Sequence, residues 1–162
     1  MTRHDLLASF AQGYDTLKAA LEQTPEGAMD FRPSPGAWTI REIIHHMPDS
    51  EASGFVRCRK IIAQSGVTVD VYDQDIWTDK LKYSSRDIGN ALELFRLMRL
   101  YTVDLLRTVD ESVWANNYIM HPERGKLTLQ QWLEVYAHHG DSHAGQIRRN
   151  VEAWEKAGRP NL

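Results

Sequence analysis

Gln64-Ser-Gly-Val-Thr-Val-Asp-Val-Tyr-Asp-Gln-Asp-Ile-Trp-Thr-Asp-Lys-Leu-Lys-Tyr-Ser-Ser85 is the stretch on which the fold turns. No helical period holds across it. Ser65-Gly66 breaks what precedes, and Val67, Val69 and Val71 alternate with polar residues as in extended chain. Helices that are antiparallel neighbours in a bundle are usually joined by about 2–8 residues. A connection of about twenty residues is long enough to cross the molecule, so the helices on either side of it are expected to run parallel. Trp77 and Tyr83 are expected to anchor the crossover by packing.

The helix before the crossover starts at Thr39-Ile-Arg-Glu42, a capping box in which the threonine oxygen and the glutamate each satisfy a free backbone N–H. Its apolar stripe is Ile40, Ile43, Ile44, Met47, Gly54, Phe55, Cys58, Ile61 and Ile62, ending near Ala63. Pro48 lies inside it, removes one backbone hydrogen bond and predicts a kink or bulge beside His45 and His46. By helical projection His46 flanks the stripe on the Ile43 side, and His45 lies further out. The helix after the crossover opens at Ser85-Arg-Asp-Ile88 and turns Ile88, Ala91, Leu92, Phe95, Met98, Leu105 and Val109 inward. It has no histidine, and a structural role is expected for it.

Two more helices complete the set. From about Asp5 to Gln23, Leu6, Leu7, Phe10, Tyr14, Leu17, Ala20 and Leu21 recur at helical spacing, until Thr24-Pro25-Glu26-Gly27 ends the pattern. Pro33-Ser-Pro35-Gly36 keeps the following stretch non-helical. Asp110 to Lys126 reads as a second long loop, with Trp114, Tyr118 and a turn at His121-Pro122-Glu123-Arg124-Gly125. Thr128-Leu-Gln-Gln131 is another capping box and begins one last helix, expected to run unbroken to about Lys156, before Gly158 and Pro160. Four amphipathic helices predict an all-α four-helix bundle, with residues 1–162 forming one domain.

The last helix carries the chemistry. Leu129, Trp132, Leu133, Tyr136, Gly140, Ala144, Ile147, Val151 and Trp154 define its buried stripe. Counting 100° per residue, His143 falls within about 40° of the stripe's centre, His139 lies at its edge and His138 faces outward. Residues four apart stack on one helix face, so His139 and His143 present two imidazoles together toward the core. Unpartnered polar groups in a core cost roughly 1–3 kcal/mol each, so the pair requires partners. The inward-leaning histidine of another helix is His46 or His45, and a bundle brings that helix alongside. Three histidines plus an open position suit a catalytic zinc-type site, and nickel or iron also accept imidazole. Gly140 and Gly145 would let a helix or ligand approach closely. Asp49 and Glu51 are candidates for a general base or for acceptors behind the ligands, and Gln146 for a polar lining residue.

Other chemistries fit less well. Glu42-Ile-Ile-His45 matches the Glu-x-x-His unit of di-iron bundles, but the last helix has no second copy. The residues between His139 and His143 are Gly-Asp-Ser, which excludes the His-Glu-x-x-His pattern, and no phosphate-binding glycine loop or Gly-x-Ser-x-Gly elbow is present. With 42% hydrophobic residues, 25% charged and a net charge of -3, the chain is neither disordered nor a basic nucleic-acid binder. It lacks an apolar run of the roughly 20 residues that span a bilayer, and Met-Thr-Arg-His-Asp does not open a secretion signal. The lone Cys58 suits a reducing compartment. A cytoplasmic protein that binds neither nucleic acid nor membrane is expected.

Three blocks carry a family resemblance: Trp38-Thr-Ile-Arg-Glu-Ile-Ile-His-His46-Met-Pro-Asp49-Ser-Glu51, the turn His121-Pro-Glu-Arg-Gly125, and Tyr136-Ala-His-His139-Gly-Asp-Ser-His143-Ala-Gly-Gln-Ile147. Together they resemble the DinB/YfiT-like proteins over about Trp38 to Val151. The resemblance implies a bundle of up-down-down-up topology and one divalent ion, zinc or nickel ahead of manganese or iron. The matching ligands are His46, rather than His45, together with His139 and His143. It implies a homodimer and a small-molecule substrate. The expected activity is that of a metal-dependent hydrolase or of an S-transferase using a low-molecular-weight thiol, with metal-activated water or thiol. The alternative is a bundle that keeps the metal site but binds a ligand or protein partner without turnover. The His-Pro-Glu turn is similar to the thiol-transferase branch; Ser142 and Gln146, where that branch often has histidines, and Pro48 depart from the pattern.

Overall fold

The structure is a computed structural model, and it describes residues 1–160. Four helical rods form the bundle: α1 (Arg3–Glu22), α2 (Ile40–Ala63), α4 (Gly89–Leu106), and a last rod in two pieces, α6 (Leu129–Ala137) and α7 (His139–Lys156). The short helix α3 (Gln74–Lys80) lies in the crossover. The short helix α5 (Glu111–Asn116) and a hairpin of β1 (Tyr118–His121) and β2 (Gly125–Thr128) precede α6.

Helix starts follow local chemistry. Thr2 with Asp5, Thr39 with Glu42 and Thr128 with Gln131 each form a reciprocal capping box. α2 continues through Pro48 as one helix. α1 buries Leu6, Phe10, Gly13, Leu17 and Ala20, one face of a 3.6-residue period.

Residue pairings give the direction of each rod. Along α1, Phe10 packs on Trp132, Gly13 meets Gly140, and Leu17 shares a cluster with Ala144 and Ile147, so α1 and the last rod run parallel. Along α2, Ile43 and Ile44 cluster with Ala91 and Phe95, Glu51 pairs with Arg99, and Cys58 and Ile61 cluster with Val103 and Leu106. α2 and α4 are therefore parallel as well. Phe10 shares its cluster with Cys58 and Leu17 with Ile40, which makes α1 antiparallel to α2. The topology is up-down-down-up, and the long crossover is what permits it.

Both long connections are more ordered than their lack of helical period predicts. Backbone bonds from Gly66 and Val69 to the Tyr118 and Met120 carbonyls, and from Met120 to Val67, seat the valine stretch beside β1. Asp73 caps α3 by accepting from the Ile76 N–H at 2.9 Å. Tyr83 is buried and donates to Asp49, and Trp77 rests on the Tyr72 ring with centroids 4.3 Å apart, as expected of anchors. The second connection closes as the hairpin, with Gly125 at φ 68° in its turn.

The last rod departs from the expectation of one unbroken helix. It breaks at His138, and the cause comes from another helix: Arg99 Nη2 donates to the Tyr136 carbonyl at 3.0 Å. A continuous helix would give that carbonyl to the N–H of residue 140, and a side chain inserted into this ladder is a recognised source of kinks. At the same level a Cβ on Gly140 would stand 2.5 Å from the Gly13 carbonyl oxygen, so the two backbones touch. Gly145 makes no such approach to another helix.

The core falls into two apolar clusters, one at each end of the bundle. Every rod passes through a polar layer between them: Gly13 on α1, Glu51 on α2, Arg99 on α4 and the His138 break. Among the described residues no helix is long and apolar enough to cross a membrane.

Candidate metal centre

The three histidines of the expected triad meet where α2 crosses the start of α7. His46 is 3% exposed and lies against the Trp38 ring, with centroids 4.7 Å apart. His139 opens α7, and His143 follows one turn later. Ring centroids stand 4.6 Å apart for His139 and His143, 5.0 Å for His46 and His143, and 5.5 Å for His46 and His139. One ring nitrogen from each lies within 4.8 Å of the others.

Protonation follows from burial. His46 is pushed down to about 3, first by loss of solvent and then by His143. His139 falls well below the ordinary range through desolvation, followed by repulsion from His143, His46 and Arg99. Desolvation also lowers His143, against a hydrogen bond to Gln146 that acts the other way. At neutral pH all three rings are neutral, the state that a metal ion needs.

Gln146 orients one ring. His143 Nδ1 lies 2.8 Å from the Gln146 amide oxygen, which only accepts, so Nδ1 carries the proton and Nε2 presents its lone pair. That Nε2 faces His139 Nε2 at 3.1 Å. Two imidazoles on one tetrahedral ion, each at about 2.0–2.1 Å, would have nitrogens roughly 3.3 Å apart. The donor set and its spacing thus fit a divalent ion of the kind that accepts imidazole.

Other singled-out residues lie nearby in different roles. His45, expected further out, is 3% exposed because the crossover folds over it; its Nε2 stands 3.2 Å from the Arg86 carbonyl. Asp49 accepts from the Tyr83 hydroxyl and lines a hollow with His45 and Arg86. Glu51 is buried and ion-paired with Arg99 at 3.1 Å; burial pushes its carboxyl up and Arg99 pulls it back, while Oε1 has no hydrogen-bond partner. Arg99 itself goes beyond the sequence reading. Its signal was a lone arginine in phase with Phe95, Thr102 and Leu106, all of them buried.

A cleft of about 190 Å³ opens beside His139. Tyr72, Tyr136, Arg57, His121 and Arg124 line it, drawn from the crossover, α6, α2 and the hairpin. His121 and Glu123 of the His-Pro-Glu turn both face it. The geometry is that of a helical-bundle protein with a three-histidine pocket at the edge of a polar cleft.

Comparison with known proteins gives that class a family. A family model described as the DinB superfamily matches residues 9–147, and the chain belongs to that superfamily. A protein of Oceanobacillus iheyensis named "Putative metal-dependent hydrolase" is 28% identical over 69% of this chain, and the match spans 64% of that protein's length. The "Putative metal-dependent hydrolase YfiT" of Bacillus subtilis is 25% identical over 81% of this chain and 74% of its own. The solved structure of YfiT, described as having an unusual four-helix bundle topology, superposes with a TM-score of 0.85 at 21% identity, covering 99% of this chain and 91% of that one. A second four-helix bundle protein, TT2238, gives 0.64 at 19% identity, covering 91% and 99%.

Proposed function

We propose that the chain is a metal-dependent hydrolase whose ion is held by His46, His139 and His143. The observation that carries this is the convergence of three neutral imidazole nitrogens beside a polar cleft. A bound divalent ion would supply Lewis acidity and lower the pKa of a coordinated water or thiol. The chain's own residues do the rest. Gln146 fixes the His143 tautomer, Trp38 shields His46 from solvent, and His121 and Glu123 are the groups lining the cleft beside His139 that can exchange a proton. Glu51 acts as a positioning residue: through Arg99 it holds the Tyr136 carbonyl at the break just ahead of His139. Asp49, through Tyr83, ties the crossover to the helix that bears His46.

Zinc or nickel is the ion of this proposal, and the compartment is cytoplasmic. Thiol transfer is the second reading, because the turn similar to the thiol-transferase branch lines the same cleft as His139. A homodimer is part of the proposal too: α4 turns Leu94, Leu97, Leu100 and Tyr101 outward, 48–65% exposed, an apolar row that a second copy would cover. Light scattering showing a monomer would remove that element. The metal claim is tested by elemental analysis. Wild-type protein should hold one divalent ion per chain, and His143→Ala should lose it while retaining its helical circular dichroism. A panel of esters and amides, and of thiols with electrophiles, then separates hydrolysis from transfer. A metal-loaded protein without turnover on either panel would favour the binding bundle, and a protein that takes up no ion would end the proposal.

A further inference from the structure

The cleft beside His139 is built with an excess of positive charge and of hydrogen-bond donors. Arg57 comes from α2 and Arg124 from the hairpin turn, and both line it. Among the described residues neither arginine is in an ion pair. The Arg57 guanidinium is nonetheless held in place, since its Nη2 donates to the Asp70 carbonyl at 2.8 Å. Tyr136 lies within reach of Arg57, and its hydroxyl is a further donor on the cleft. Tyr72 has a buried hydroxyl beside the Ser50 hydroxyl. The Ser50 hydroxyl adds another donor, and Glu123 is the carboxylate among the lining residues. Two guanidiniums against one carboxylate leave a positive balance in a chain whose net charge is -3.

The half-buried Arg57 guanidinium has no carboxylate partner, and an anionic ligand would supply one, with Arg124 on the exposed turn lining the same cleft. A planar carboxylate is the group that a guanidinium fork matches in shape and charge. We propose that this cleft is the specificity pocket of the metal centre, and that it takes a small substrate bearing a carboxylate, bound by Arg57 and Arg124 with the tyrosine hydroxyls, while the reacting group faces His139. The proposal rests on the triad being a metal centre, and it names the substrate class of that centre.

Two titrations test it. In the first, cobalt(II)-loaded protein is titrated with mercaptoacetate and 3-mercaptopropionate, and with the corresponding neutral amides, following thiolate-to-cobalt charge transfer. The acids should bind about 10-fold or more tightly than their amides, in line with a charge-assisted bond. Arg57→Gln and Arg124→Gln should each remove that preference and leave amide binding unchanged. Arg124 is exposed on a turn, so its variant reports even where Arg57→Gln fails to fold. In the second, metal-free protein is titrated calorimetrically with succinate and succinamide, and only the dicarboxylate should bind, with loss in the arginine variants. Equal binding of acids and amides, or a preference that survives both substitutions, overturns the anion pocket. A succinate preference in protein that never takes up cobalt keeps the pocket and sinks the metal centre instead.

Discussion

The His143 Nδ1–H donated to the Gln146 oxygen decides which nitrogen of that ring faces its two partners. Without it, the imidazole is free to change tautomer and to turn. Loss of such an orienting partner typically costs 10–100-fold in metal affinity, so Gln146→Leu should weaken binding by about 10-fold in competition with a chromogenic chelator. Unchanged affinity would remove the orienting role. Protons compete for the same rings. His46, His139 and His143 all have folded-state pKa values below the ordinary histidine value, so between about pH 6.5 and the folded values the unfolded chain binds more protons than the native one. Stability of the metal-free protein is therefore complete above about pH 6.5 and falls as pH drops, by at most about 1.4 kcal/mol per unit per histidine. His46 continues to contribute down to about 3. Denaturant unfolding at pH 7.5 and pH 5.5 should show this loss, reduced in His46→Gln; a flat profile would mean that the rings are more hydrated than their burial indicates. His139 and His143 were legible from helical spacing and projection, because ligands on one face must recur every three or four residues, whereas projection left the third ligand as His46 or His45 and the family resemblance chose His46. Arg99 was not, since what buries it is the meeting of four helices.

Among the elements, the last rod shows what periodicity can and cannot reveal. Its apolar stripe continues through His138 without a slip, so a single helix was the natural expectation; the break is imposed from α4, by a guanidinium that takes the Tyr136 carbonyl. Local sequence records no such visitor. The crossover behaves similarly: the Val67 and Val69 alternation announced extended chain, but its alignment with Met120 depends on a hairpin about fifty residues later. Capping boxes, by contrast, were readable because their partners lie three residues apart. The contact between Gly13 and Gly140 gives the sharpest test at this scale. An alanine Cβ at 140 would stand 2.5 Å from a backbone carbonyl that has no rotamer to escape into. Gly140→Ala should then cost about 3 kcal/mol, the upper end of overpacking penalties, measured by urea unfolding. Gly145→Ala should change stability little, since only the Arg149 side chain lies near it. Equal effects would mean that the two rods separate easily.

Over the whole molecule, the polar layer between the two apolar clusters links stability to the metal centre. Arg99 connects all four rods: it pairs with Glu51 of α2 and donates to the Phe10 carbonyl of α1 at 2.7 Å and to the Tyr136 carbonyl of α6 at 3.0 Å. Its guanidinium carbon also lies 4.2 Å and 4.8 Å from the ring centroids of Phe10 and Phe95. Truncating one member of a buried pair leaves the other charge uncompensated, typically at 3–5 kcal/mol, whereas replacing both with apolar groups can be nearly neutral. Arg99→Met should therefore destabilise the protein by about 3–5 kcal/mol, and adding Glu51→Leu should recover most of that. Recovery should stop short by about 1 kcal/mol, the worth of a typical hydrogen bond, because the Phe10 carbonyl loses the Arg99 donor. Metal affinity is expected to behave differently. With the Tyr136 carbonyl released, the helix can close through His138 and turn the His139–His143 pair away from His46, so the double variant should regain stability yet bind the ion at least about 10-fold more weakly, the scale of losing an orienting partner. Chelator competition alongside urea unfolding separates the two quantities. A double variant that is restored in both would reduce the layer to a packing device; one restored in stability alone would show that the ion pair is retained to break a helix at the place where a ligand must be aimed.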